Sequence, residues 1–256
     1  MLKEIYDYRE MIFSLVKKDL RGRYKGSILG FMWTFINPLL QLVIYTLVFS
    51  IIMRAGYEQY YLFLFVALIP WLFFQSCVQD GSTSILREKD MVKKIYFPRA
   101  VMPIATVTSG FINMLLTFIV IFVVLIVSGR GVNPIALLAL PIVMAVQYIL
   151  CLGIALIVSA LTVYFRDLQY ILGILTMGLQ YVSPVMYEIN IVPDRFKFIF
   201  GLNPMTPILN IYRQILYYKQ FPNLMTLIYA LCFGVGSVII GFAVFNKLQK
   251  GFAENF

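Results

Sequence analysis

Residues 100–127, AVMPIATVTSGFINMLLTFIVIFVVLIV, run for 28 positions without a Lys, Arg, Asp, Glu or His. About 20 apolar residues take a helix across a hydrocarbon core, and a helix pairs its own backbone groups where water is absent. The stretch reads as a transmembrane helix. Five others share the property, at 31–53, 60–79, 135–163, 168–187 and 224–246. The fold expected is therefore an all-α polytopic membrane protein with six transmembrane helices. With 61% hydrophobic residues and a mean hydropathy of +0.85, the chain has no polar segment long enough for a separate soluble domain, so residues 1–256 form one membrane domain. The first span follows a 30-residue polar segment and lacks a small-residue cleavage site, so it is expected to stay as an anchor.

What the spans lack bears on function. A carrier driven by protons or sodium keeps ionisable residues at membrane depth for coupling, at a cost of roughly 2.5–3.5 kcal/mol each. None lies in the six stretches, so energy for uphill transport is expected to enter from outside the bilayer. The chain has no His, and Cys77, Cys151 and Cys232 fall inside spans without paired spacing, which disfavours a zinc site or a His-based triad. No GxxxxGK[ST] loop occurs, so ATP hydrolysis by that route is excluded. An interfacial enzyme would have to rely on Glu88, Asp167 or Glu188, none of which has an evident nucleophile beside it. No internal repeat or inverted duplication is visible, which argues against a secondary transporter built from two matched halves.

The net charge is +9, and its distribution orients the chain. Lys and Arg number seven before the first span, five between the second and third, one between the fourth and fifth, and two after the sixth. The alternate segments hold Arg54, Arg130, Arg195, Lys197, Arg213 and Lys219. Basic residues favour the cytoplasmic side, so both termini are expected there, in a plasma (inner) membrane. Anionic lipid and topology account for the charge without nucleic acid.

Three segments between spans carry their own signals. Residues 5–20 place Ile5, Tyr8, Ile12, Leu15 and Leu20 at helical spacing with charges elsewhere, as in an amphipathic helix lying in the cytoplasmic interface. Between spans two and three, Asp80, Gly81 and Ser82 suit a helix start and Pro98 a stop, giving a charged helix over 82–94. That loop is longer than a connection requires, and Arg87, Glu88, Asp90, Lys93 and Lys94 mark it as a docking element. Residues 183–223 hold five of the eleven prolines, and their runs FKFIFGL and PILNIYRQILYY are each too short to cross. Two short re-entrant half-helices on the outer face are expected over 191–220. Aromatic rings recur at helical spacing: Phe31, Phe35, Tyr45 and Phe49 with Leu42 in the first span, Tyr170 and Tyr181 with Met177 in the fifth. Their flat faces suit either sliding contact with sugars or lipid-facing belts.

The stretches RGRYKGSILGFMWTFINPL (21–39), REKDMVKKIYFPR (87–99), VYFRDL (163–168) and NPMTP (203–207), in that order, resemble the permease subunits of type-2 ABC exporters for polysaccharides. More narrowly, they resemble the Wzm-like O-antigen permeases and their teichoic-acid counterparts. The resemblance covers nearly the whole chain. It implies a second copy of the chain, with two separate ATP-binding cassette ATPase subunits beneath that hold ATP and Mg. No cofactor is then expected in this chain. It further implies an interface helix at 5–20, a coupling helix at 82–94, outer gate helices at 191–220 and a channel lined by aromatics of the first and fifth spans. The function implied is export of a lipid-linked polysaccharide such as O antigen. Teichoic-acid or capsule export, and a drug or small-lipid exporter of the same superfamily, would share the architecture. A passive channel is the reading from a different class.

Overall fold

A computed structural model describes residues 2–23, 25–52 and 58–254; Met53, at the end of the first expected span, and Arg54 lie outside the described residues. Every regular element within them is helical. α1 (Leu2–Asp7) and α2 (Arg9–Gly22) precede a 3-10 turn, Gly30–Met32, that leads into α3 (Trp33–Thr46) and a π-helical stretch, Leu47–Ile52. Then come α4 (Tyr60–Arg87), α5 (Lys89–Lys94), α6 (Val101–Val127), α7 (Pro134–Leu137) and α8 (Leu140–Tyr164). The chain continues through α9 (Leu168–Val182), α10 (Asp194–Leu202), α11 (Met205–Leu216) and α12 (Leu224–Leu248), with a last 3-10 segment, Gln249–Glu254.

Among the described residues, five segments are long and apolar enough to cross a membrane: Gly30–Ser50, Tyr60–Arg87, Val101–Val127, Pro134–Tyr164 and Leu224–Phe252. The sixth expected span differs. α9 has 15 residues, about 22 Å at 1.5 Å per residue, against a core of about 30 Å. Ser183 is extended at its end and Pro184 follows, so 183–187 do not continue the helix.

α4 is the central helix. Every side chain from Leu62 to Leu68 is fully buried, as expected of a helix that is apolar all round and has neighbours on all sides. α6 and α8 flank it, and α12 packs on the far side of α8. That last contact depends on missing side chains: a Cβ on Gly153 would lie 2.3 Å from the backbone of Ser237, and one on Gly241 would lie 2.5 Å from the Gly153 carbonyl. Close backbone approach matters here because lipid tails are as apolar as Leu, so packing rather than hydrophobic burial holds helices together. Away from the protein, α6 exposes Ile119, Val123 and Ile126, and α12 exposes Ile228, Val235 and Ile239, rows that suit lipid tails.

Two boundaries differ from the expectation. Asp80, Gly81 and Ser82 start no helix, because α4 runs through them to Arg87. Gly81 lets Ala155 of α8 approach, its notional Cβ lying 3.0 Å from the Ala155 Cβ, and the Ser82 and Ser84 hydroxyls donate to carbonyls of their own helix. The break falls instead at Glu88 (φ −110°, ψ 25°), leaving α5 with six residues. The interface helix is likewise interrupted, at Tyr8.

Candidate functional site

One end of the molecule gathers both chain termini. Ile5, Tyr8, Met11, Ile12 and Leu15 from α1 and α2 pack on a second apolar cluster made by Ile85, Val92, Phe97, Val101, Phe245 and Phe252. The amphipathic face of 5–20 is thus satisfied largely by protein. Polar contacts then strap α2 to the segment after α4. Lys18 pairs with Glu88 at 2.6 Å, and the Tyr8 hydroxyl donates to the Tyr96 carbonyl at 3.3 Å. Arg23 lies 3.2 Å from Asp19 and 3.9 Å from Asp80, and Asp80 is 3.9 Å from Arg87, whose guanidinium also donates to the Asp80 carbonyl. Ser109 of α6 donates to Asp19. Lys18, Asp19, Arg23, Arg87 and Glu88 line a cleft of about 360 Å³ between α2, α4 and α6.

Beside this strap, the chain turns outward. Lys93, Lys94, Ile95 and Tyr96 line a larger cleft of about 1000 Å³ with Glu4, Arg99 and Lys250. Tyr96 is 93% exposed and Ile95 57%, whereas Phe97 beside them is buried. Of the five charged residues singled out in the sequence, Arg87 and Glu88 belong to the strap, while Lys93 and Lys94 edge the open cleft. Asp90 is exposed on α5.

The opposite end is built differently. α11 is buried along its length against α4, and Arg213 within it is 2% exposed. Its guanidinium donates to the carbonyls of Pro184 (2.5 Å), Val185 (2.6 Å) and Tyr187 (3.1 Å), and it stacks 3.8 Å from the centre of the Phe63 ring. The carbonyls belong to the turn after α9, whose own backbone bond runs from the Val185 N–H to the Ser183 carbonyl; no backbone N–H reaches the other three among the described residues, so one fork of donors holds that turn. Deeper, Gln147 of α8 donates to the Pro70 carbonyl at 2.7 Å and accepts from the Tyr212 hydroxyl at 2.8 Å, joining α4, α8 and α11 in a buried polar contact. α10 lies outside this core, with Phe198, Ile199 and Leu202 exposed.

The aromatic candidates are divided between two settings. Tyr45 and Phe49 are half-buried against the main core, where the Tyr45 hydroxyl accepts from Gln180 of α9 at 3.1 Å and the Phe49 ring lies 6.3 Å from Tyr60. Tyr170 and Tyr181 are 69% and 58% exposed, on one stripe of α9 with Ile174 and Met177. Phe31 is exposed near the start of α3, edge-on to Phe35 at 5.4 Å. The structure brings α3 and α9 together through Tyr45–Gln180, not through a continuous wall of rings.

The profile of the ABC-2 type transporter family matches residues 10–217, from α2 to the end of α11. The chain belongs to this family. The O-antigen export system permease protein RfbA of Myxococcus xanthus is 31% identical over all of this chain and 98% of its own length. A Klebsiella pneumoniae protein of the same description is 33% identical over 96% of this chain and 94% of itself. More distantly, the polysialic acid transport protein KpsM of Escherichia coli is 23% identical over 93% of each chain.

In this ABC-2 transporter chain, no group of three His, Cys, Asp or Glu side chains could hold a metal ion among the described residues. Sequence reasoning missed two features. Arg213 counts among the loop cations in the sequence, although the apolar Ile208, Leu209, Ile211, Tyr212, Ile215 and Leu216 of PILNIYRQILYY signal burial of that helix. Tyr96 stood out only by its exposure, which no sequence pattern predicts.

Proposed function

We propose that this chain is the membrane permease subunit of an ATP-driven exporter that moves a lipid-linked polysaccharide of the O-antigen type across the plasma membrane. The observation that carries the reading is the division of chemistry along the molecule: the six apolar stretches of the sequence hold no Lys, Arg, Asp or Glu, while ionic groups, Asp80 and Arg87 at the end of α4 among them, concentrate at the end that gathers both termini. Energy therefore enters at that end. The end with both termini faces the cytoplasm, in accord with the excess of Lys and Arg in its segments. α9, continued by residues 183–187, supplies the sixth crossing.

Two copies of the chain enclose the channel, since one set of helices packed round α4 leaves no sugar-wide passage within itself. Two separate ATPase subunits, carrying ATP and Mg, dock against α5 with Lys93, Lys94, Ile95 and Tyr96. Their closure pushes on α5, and the Lys18–Glu88 and Arg23–Asp80 contacts pass that displacement to α2 and the base of α4. The exposed rings of Tyr170 and Tyr181, with Phe31, Phe35, Tyr45 and Phe49 from the first span, offer stacking faces to successive sugars without binding any tightly. α10 and α11 form the outer lid. Depletion of the chain tests the reading: lipid-linked polysaccharide should accumulate inside the cell. Accumulation of a small amphiphile instead would favour a drug or small-lipid exporter. Export that persists after loss of ATP hydrolysis would favour a passive channel. A capsule-type polymer is the second reading, favoured by the more distant likeness to a polysialic acid transport protein.

A further inference from the structure

α11 is buried at every position but two. The exceptions, Asn210 and Gln214, lie one helical turn apart and so share one stripe of the helix. That stripe forms a wall of a cavity of about 340 Å³ at the end of the molecule opposite the termini, closed on one side by the turn at Glu188–Asn190 and on another by Thr226 in the first turn of α12. Asn210 and Thr226 are half-buried, and among the described residues their side chains make no hydrogen bond. Gln214 accepts from the Asn223 N–H at 3.2 Å through its amide oxygen, while no described residue accepts from its amide nitrogen. Half-buried amides that face a cavity with hydrogen bonds to spare are built for something that fills it.

The walls are held in place from behind. Arg213 fixes the turn that leads to Glu188, and the Gln214–Asn223 bond ties the start of α12 to α11. Glu188 accepts from the Tyr218 hydroxyl and from the Asn190 amide at 3.4 Å. Between Tyr218 and Gln220, which both line the cavity, Lys219 adopts a left-handed backbone conformation (φ 56°) that residues other than glycine seldom take, and Asn133 donates to its carbonyl at 3.0 Å.

We propose that this cavity binds an uncharged sugar unit of the polymer as it emerges, with sugar hydroxyls on Asn210, Gln214 and Thr226 and the Tyr218 ring against the C–H face. The inference rests on the polysaccharide export proposed above, and it adds where the polymer is met on the outer side and which units are held there. A sugar hydroxyl both donates and accepts, as do the side chains of Asn, Gln and Thr, so a wall of these matches a polyol whichever way its hydroxyls turn. An anionic sugar would meet the Glu188 carboxylate, while the guanidinium of Arg213 is turned to the 184–187 carbonyls and the Phe63 ring. A metal ion would find no group of three carboxylate, His or Cys ligands among the described residues, and a peptide would find Ile189 as the one aliphatic side chain lining the cavity.

The test uses the full-length chain in nanodiscs of zwitterionic lipid, with oligosaccharides cut from the surface polysaccharide of the producing cells as probe and saturation-transfer NMR as readout. Transfer should reach the ring protons of uncharged units, and oligomers of sialic acid should show none. Asn210→Leu together with Thr226→Val keeps side-chain bulk and removes hydrogen bonding; it should weaken binding about twentyfold, at roughly fivefold for each hydrogen bond lost, with an unchanged thermal midpoint because neither side chain has a partner in the protein. Should that variant fail to fold, Gln220→Ala, exposed and without a hydrogen bond among the described residues, should weaken binding about fivefold. Unchanged binding in a folded variant would overturn the proposal, as would equal transfer from sialic acid oligomers. If the probes do not bind while depletion of the chain still accumulates lipid-linked polysaccharide, the sugar site is refuted and the exporter reading stands; if depletion accumulates none, the exporter reading fails and the site falls with it.

Discussion

The two ends of this molecule both use cations to fix short elements, and they do so in opposite ways. At the opposite end, Arg213 is buried and donates to three carbonyls of a turn that accept no other hydrogen bond among the described residues. At the terminal end, Lys18 and Glu88 pair where Lys18 is 64% exposed and water can replace either partner. A buried fork of hydrogen bonds makes one arrangement much lower in energy than any other, whereas exposed ion pairs exchange at little cost. The first kind of contact suits a fixed frame. The second suits a part that has to shift when a partner pushes on it.

The largest expected effect comes from breaking the frame. Arg213→Met leaves the Pro184, Val185 and Tyr187 carbonyls buried without donors; even after relief from burying a charge, this should destabilise the protein by about 3 kcal/mol. Thermal unfolding in detergent measures it, and an unchanged midpoint would show that water reaches those carbonyls. Arg213→Lys should fall between, because one ammonium cannot reproduce the fork. Next, Tyr212→Phe orphans the Gln147 amide oxygen and should cost about 1–2 kcal/mol in the same measurement. If the loss were as large as at Arg213, the Gln147 contact and not the arginine would anchor α11.

The terminal end should respond in the reverse sense. Glu88→Lys should change stability by less than about 1 kcal/mol, as exposed pairs do, yet uncouple ATP hydrolysis from export. The swap Lys18→Glu in the same chain should restore coupling; restoration would place the effect in the pair, and its absence would place it in a contact between Glu88 and a partner. Smallest in stability are Tyr170→Ala and Tyr181→Ala, within about 0.5 kcal/mol because both rings are exposed in the single chain. Export should nevertheless fall, and should not be rescued by Leu. Full export with Leu at both positions would identify α9 as a lipid-facing surface.

Properties that add up locally can be read from the chain alone: helices throughout, the positions of five stretches long and apolar enough to cross, though α4 runs eight residues past its expected end, helical structure over most of 5–20 and within 191–220, and the uneven spread of cations. Apolar length and residue spacing are enough for these, because each depends on a residue and its near neighbours. Which polar groups meet is set by the packing of helices distant in sequence. The continuation of α4 through Asp80–Ser82 depends on Ala155 packing at Gly81. The burial of Arg213 depends on carbonyls some 26–29 positions earlier in the chain. That Lys18 and Arg23 are paired, while Lys17, Arg21 and Lys25 meet no carboxylate among the described residues, depends on where Glu88 and Asp80 arrive in space. Composition places a charge near the membrane; only the packing of distant helices determines whether it faces a carboxylate, a carbonyl or an open groove.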